Sequence, residues 1–124
     1  MRAFWPGPLT LIFKASGNIP PLLTAATGTV AVRDSSHPLA RRLVKTAGIP
    51  ITSTSANLSG DAGCSTADDV VRQLGDRIDL IIDGGPTPGG LPSSIVDLTV
   101  SPPRIVRQGA ISTQRLTPFL GTRV

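Results

Sequence analysis

Glutamate and tyrosine are absent from this 124-residue chain, and cysteine, tryptophan and histidine each occur once. A lone Cys64 forbids an internal disulfide, and with a single histidine no Cys/His cluster reaches metal-ligand spacing. Both features fit a reducing cytoplasm. Four aromatic side chains offer little for stacking on bases, and no run of basic residues occurs, so base recognition in nucleic acid has weak support. No apolar run approaches bilayer-spanning length, and "MRAFWPGPLTLIFKAS" lacks an uninterrupted apolar stretch long enough for a signal peptide. The expectation is a soluble cytoplasmic chain with no membrane partner.

What is present points to anions and to tight backbone packing. The net charge is +4; ten of the twelve cations are Arg, and all eight carboxylates are Asp. Arginine presents a planar, permanently charged fork suited to carboxylates and phosphates, although a bias towards Arg codons gives the same excess. An apolar fraction of 40% supports one domain at most with a modest core. Thirteen Gly and twelve Pro are spread between the apolar runs, which predicts many short elements joined by turns.

Periodicity places those elements. "PLTLIFKA" (8–15) and "GTVAVR" (28–33) read as strands, and "HPLARRLVKTAG" (37–48) as a helix burying Leu39, Leu43, Val44 and Ala47, with Pro38 in its first turn and Gly48 at its stop. "IPITSTS" (49–55) resembles another strand. "TADDVVRQLG" (66–75) predicts a helix with Thr66 as N-cap and Val70, Val71 and Leu74 inward. "IDLIID" (78–83), "SSIVDLT" (93–99) and "RIVRQG" (104–109) read as strands, and "STQRLTPFLG" as a short helix interrupted by Pro118. The order implies an α/β fold with an open, twisted, mixed sheet.

Short polar residues gather where the predicted strands end. "PITSTSANLSG" (50–60) begins like a buried strand and then carries Thr52, Ser53, Thr54, Ser55, Asn57 and Ser59. If that segment is extended, Ser55 and Asn57 share a side and grip one ligand; the plainer reading is a turn satisfying its own backbone. Arg33 and Arg107 suit planar or tetrahedral anions, against the alternative of surface ion pairs with Asp34 or Asp97. Ser93 and Ser94 follow the Gly-rich "GGPTPGGLP", which lets backbone N–H groups approach an anion. Asp83 before Gly84 reads as a plain turn, His37 before Pro38 as a helix-entry residue, and Trp5 and Cys64 as packing.

Taken together, "FWPGPLTLIF", "VAVRDSSHPLAR", "PITSTSANLSG", "IDLIIDGG", "PSSIVDLT" and "RIVRQGAI" resemble, in this order, the YrdC-like family of threonylcarbamoyl-AMP synthases. The resemblance runs from about Phe4 to Ile111 and covers the later part of the family's YrdC/RibB-like domain. The family's earlier Thr/Tyr-bearing strand and Lys-x-Arg motif have no counterpart here, so the fold is expected to be a partial domain over 1–124, incomplete at its N-terminus. The Ser-Ser at 93–94, where family members usually have Ser-Thr, is a mild departure.

The resemblance implies an enzyme that joins L-threonine, bicarbonate and ATP into threonylcarbamoyl-adenylate and pyrophosphate, with Mg²⁺ on the phosphates. Its product serves a tRNA modification completed by threonylcarbamoyl-transfer proteins. By motif position, Thr29, Asn57, Ser65 and Arg107 contact ATP, and Arg33, Ser55 and Ser93 contact threonine or its carbamate. Positioning and electrostatics carry the catalysis, with no catalytic side chain and no protein metal ligand assigned. Lacking the Lys-x-Arg cations, the chain alone is expected to release little pyrophosphate. Two competing classes are a non-catalytic module binding tRNA or double-stranded RNA through shape and phosphates, and the carbamoyl-adenylate-forming module of a hydrogenase maturation protein. A third is a non-catalytic partner docking through an uncovered sheet.

Overall fold

The computed structural model describes residues 2–121. Four strands form one mixed sheet: β1 (Leu9–Lys14), β2 (Thr29–Val32), β3 (Ser94–Asp97) and β4 (Arg104–Arg107), in the order β2-β1-β3-β4. The outer pairs are antiparallel, whereas β1 and β3 run parallel. Parallel neighbours need a long crossover, and here it contains residues 15–93. The helices are α1 (Pro38–Ala47), α2 (Ala67–Leu74) and α3 (Thr113–Leu116), the last continued by a 3₁₀ turn at Thr117–Phe119, where Pro118 ends the regular ladder.

The chain divides into two compact units, one formed by residues up to Arg41 and from Leu91, the other by Arg42–Gly90, with the division falling inside α1. In the first unit the alternation of β1 decides the layers. Leu9 and Leu11 project to one face and are buried with Val96, Ile111 and Leu116; Phe13 and Ile105 pack against them. Trp5 packs at the edge of this cluster and donates its indole N–H to the Leu9 carbonyl at 2.7 Å, as a half-buried tryptophan requires.

Ser94 is the polar pin of this core. Fully buried, its Oγ accepts from the Gly109 and Ile111 N–H groups at 3.0 Å each and donates to the Ile111 carbonyl at 2.7 Å, so its hydrogen-bonding capacity is filled. Gly109 is needed beside it, because a Cβ there would lie 2.6 Å from the Ser93 carbonyl carbon and 2.7 Å from its oxygen.

In the second unit α2 forms where expected but buries none of its residues, so Val70, Val71 and Leu74 are not the inward face the sequence suggested, and Val71 is 53% exposed. Thr66 caps it in a reciprocal box with Asp69: the Asp69 N–H donates to Thr66 Oγ1 at 3.1 Å and the Thr66 N–H to Asp69 Oδ2 at 3.0 Å. Gly48, at φ 69°, closes α1 in the left-handed region that glycine enters without strain. Three further expectations fail here. Residues 49–55 and 78–83 form no strand, and α1 buries none of its residues, with Leu43 43% and Val44 38% exposed. An apolar run becomes a strand only when another backbone pairs with it, and these two runs have none.

Candidate functional site

The strand register sorts the candidate residues by face. Residues directly opposite in a pair share a face, so the pairs Lys14↔Thr29, Ile12↔Ala31, Thr10↔Ile95 and Ile12↔Asp97 define a second face of the sheet, opposite the Leu9/Leu11 core. Arg33 follows β2 directly, past the last paired residues Leu11↔Val32, at the end of the sheet where Thr10 lies on β1. Arg107 reaches the same face through a bulge. Ile95 pairs with Arg107 but Val96 with Ile105, so Val106 is an extra residue and Arg104 and Arg107 both face the Ile95/Asp97 side.

Two sequence-predicted residues meet on this face, and a third leaves the same end of the sheet. Arg33 leaves the end of β2, Ser93 precedes β3 and Arg107 ends β4. Ser93 and Arg107 touch: Nε and Nη2 of Arg107 donate to the Ser93 carbonyl at 3.1 and 2.8 Å, and Nη2 also reaches Ser93 Oγ at 3.2 Å. Arg33 Nε donates to the Gly7 carbonyl at 3.0 Å, which leaves its terminal nitrogens for another acceptor. Neither arginine forms the carboxylate pair considered from sequence; Asp34 pairs with Arg41 at 3.9 Å and Asp97 with Arg104 at 3.6 Å. Thr29 shares the face but lies at its other end, four residues or about 13 Å along β2 from Arg33. Its hydroxyl contacts Thr27 Oγ1 at 2.9 Å.

Ser55, Asn57 and Ser65 lie in the Arg42–Gly90 unit. With residues 50–56 irregular, strand alternation does not align Ser55 with Asn57; Ser55 is exposed and Asn57 half-buried. Asn57 braces its own turn, with Nδ2 donating to the Leu58 carbonyl at 2.8 Å and the Asp61 carbonyl at 2.9 Å. Its Oδ1 is buried without a partner, an exception among buried polar atoms that calls for a donor. Gln73 of α2 holds this loop from the other side, accepting from the Leu58 N–H at 3.2 Å and donating to the Ala62 carbonyl at 3.1 Å. Ser65 donates through both N–H and Oγ to Asp69 Oδ2 at 3.1 Å, while its carbonyl accepts from the Thr87 N–H at 2.8 Å. Hydrogen bonding with the Thr66 side chain, then with the Ser65 N–H, lowers the Asp69 carboxyl from 3.8 to about 2.

The residues set aside from sequence behave accordingly. Asp83 Oδ1 accepts from the Gly85 N–H at 2.8 Å in a plain turn. His37 opens α1, its carbonyl taking the Arg41 N–H at 3.1 Å. A shallow groove bordered by Phe4, Trp5, Ile111 and Arg115 belongs to the core side and holds none of the candidates. Two residues on the candidate face went unremarked: Thr10, whose Oγ1 lies 2.8 Å from Ser93 Oγ, and Lys14, opposite Thr29. The period-2 pattern of "LTLIFK" contains the signal, since Leu9 and Leu11 inward force Thr10 outward.

Similarity to known proteins identifies the family. Residues 1–109 match the Sua5/YciO/YrdC family model, described as telomere recombination. The threonylcarbamoyl-AMP synthase of Pyrococcus abyssi is 38% identical over 120 residues, covering 97% of this chain and 35% of that protein. That of Bacillus subtilis is 39% identical over 122 residues, covering 98% and 35%. The crystal structure of Pyrococcus abyssi Sua5 complexed with L-threonine superposes with a TM-score of 0.89 at 38% identity, over 97% of this chain and 35% of that one. Escherichia coli YciO superposes with a TM-score of 0.77 at 34% identity, over 89% and 54%. The chain thus spans about a third of the length of the Pyrococcus and Bacillus relatives. With a family match over residues 1–109 and an open mixed sheet shared with solved members, the chain belongs to the Sua5/YciO/YrdC family.

Proposed function

We propose that this chain carries threonine- and nucleotide-binding surface of an L-threonylcarbamoyladenylate synthase. In that reaction the amine of L-threonine and bicarbonate form a carbamate, with loss of water, and a carbamate oxygen attacks the α-phosphorus of ATP, expelling pyrophosphate. The adenylate would then pass to proteins that transfer the threonylcarbamoyl group to tRNA. The observation that supports this best is the end of the open sheet face, where Arg33 stands by β1 and Arg107 is hydrogen-bonded to Ser93. Two guanidinium groups and a hydroxyl suit a planar carboxylate or carbamate beside a phosphate.

The family motifs suggest the roles. Arg33, Ser55 and Ser93 would contact threonine or its carbamate, and Thr29, Asn57, Ser65 and Arg107 the nucleotide. Alignment of carbamate and α-phosphate, with cations against the developing charge, would supply the rate enhancement. Mg²⁺ would arrive on the triphosphate. Among the described residues no group of three or more His, Cys or Asp side chains gathers, and this ion is commonly held by phosphates, water and one or two carboxylates.

Calorimetric titration with L-threonine and with Mg·ATP tests the proposal. Saturable heats with both ligands are expected, with Arg33→Ala weakening threonine at least about tenfold and Arg107→Ala weakening ATP similarly. Pyrophosphate release by the chain alone is expected to be slow, since the open face offers three guanidinium groups, that of Arg104 already paired with Asp97, and one ammonium to a triphosphate, a carboxylate and a carbamate. Absence of heat with either ligand overturns the reading.

A further inference from the structure

We infer that Thr10 is a positioning residue that fixes the Ser93 hydroxyl as a hydrogen-bond donor to the carboxylate of threonine, an inference resting on the threonine-binding reading above. Thr10 sits on β1, the inner strand between the arginine-bearing end of β2 and Ser93 at the start of β3. It is half-buried on the open face, with Oγ1 2.8 Å from Ser93 Oγ. Ser93 is only 7% exposed, so its hydroxyl has few alternatives to the groups around it.

The proton inventory gives this contact a direction. A serine hydroxyl has one donor and two acceptor sites. Arg107 Nη2, which has no acceptor capacity, occupies one acceptor site of Ser93 Oγ at 3.2 Å. When Thr10 donates to the other, both acceptor sites are filled and the single Ser93 proton is free to point at an anion. Without the Thr10 hydroxyl, the Ser93 rotor regains freedom and its second lone pair is left facing the carboxylate, which repels it. Thr10 makes no contact with the substrate in this scheme. It acts through Ser93, while Arg33 leaves the same end of the sheet with its Nε on the Gly7 carbonyl.

The test is a double-mutant cycle on the full chain, read by calorimetry with L-threonine. Thr10→Val removes the hydroxyl while keeping a β-branched side chain that a strand favours. It should weaken threonine about tenfold, and Thr10→Ser should restore affinity to within about twofold. In a Ser93→Ala background the Thr10→Val change should have no further effect, because the hydroxyl it orients is gone. A purely structural role predicts the same weakening in both backgrounds, and that result overturns the inference. Saturable threonine binding that Thr10→Val leaves unchanged also overturns the role of Thr10 while sparing the function. No saturable binding by the unsubstituted chain overturns the threonine reading, and this inference with it.

Discussion

The sheet unit and the Arg42–Gly90 unit begin from similar apolar patterns and end differently. All five buried hydrophobic side chains among the described residues belong to the sheet unit, whereas no residue from 42 to 90 is buried. Yet the second unit is no less apolar in its runs: Ile49 is 64% exposed, Val71 53% and Leu80 76%. The difference lies in how each element satisfies its backbone. A helix closes its hydrogen bonds within itself, so α1 and α2 form with their apolar faces open. A strand closes them only against another chain segment, so "IDLIID" stays irregular while "SSIVDLT" finds β1 and β4.

That comparison can be broken by substitution. Leu11→Ala in the sheet core should lower unfolding free energy by about 3 kcal/mol in denaturant titration, whereas Leu80→Ala and Ile49→Ala should change it by less than about 0.5 kcal/mol. A large effect at Leu80 would mean that the second unit buries it in solution. Next in size is Ser94→Ala, which leaves the Gly109 and Ile111 N–H groups without their acceptor and should cost about 2 kcal/mol by the same measurement. Its neighbour Ser93, facing the other way, should perturb stability less than ligand affinity.

Within the second unit, Thr66→Ala should destabilise α2 by about 1 kcal/mol, visible as faster hydrogen exchange confined to residues 67–74. The smallest effect expected is on acidification. Because the Asp69 carboxyl is lowered from 3.8 to about 2, its contribution to the cap is complete above 3.8 and fades as pH falls from there towards about 2. Helical circular dichroism should decline over that window, and Asp69→Asn should remove the step.

Much of the local structure around the candidate residues could be read along the chain because it is tied to local motifs. Thr66 and Asp69 stand at capping-box spacing, and the alternation in "LTLIFK" already separates Leu9 and Leu11 from Thr10. Asp83 and His37 were also legible, since a turn and a helix start are settled by immediate neighbours. The pairing of Ser55 with Asn57 was not. It depended on an extended backbone that only a partner strand enforces, and Asn57 instead turns its amide onto Leu58 and Asp61.

The amino-acid sequence by itself determined the family motifs, the helix boundaries and the inward face of β1, because each follows from spacing along one stretch of backbone. Tertiary structure alone decided where Arg107 points. In an unbroken strand Arg104 and Arg107, three apart, would face opposite sides; the extra residue at Val106 turns both to the open face and brings Arg107 onto Ser93. A bulge arises from the mismatch between two paired strands, and no reading of one strand contains it.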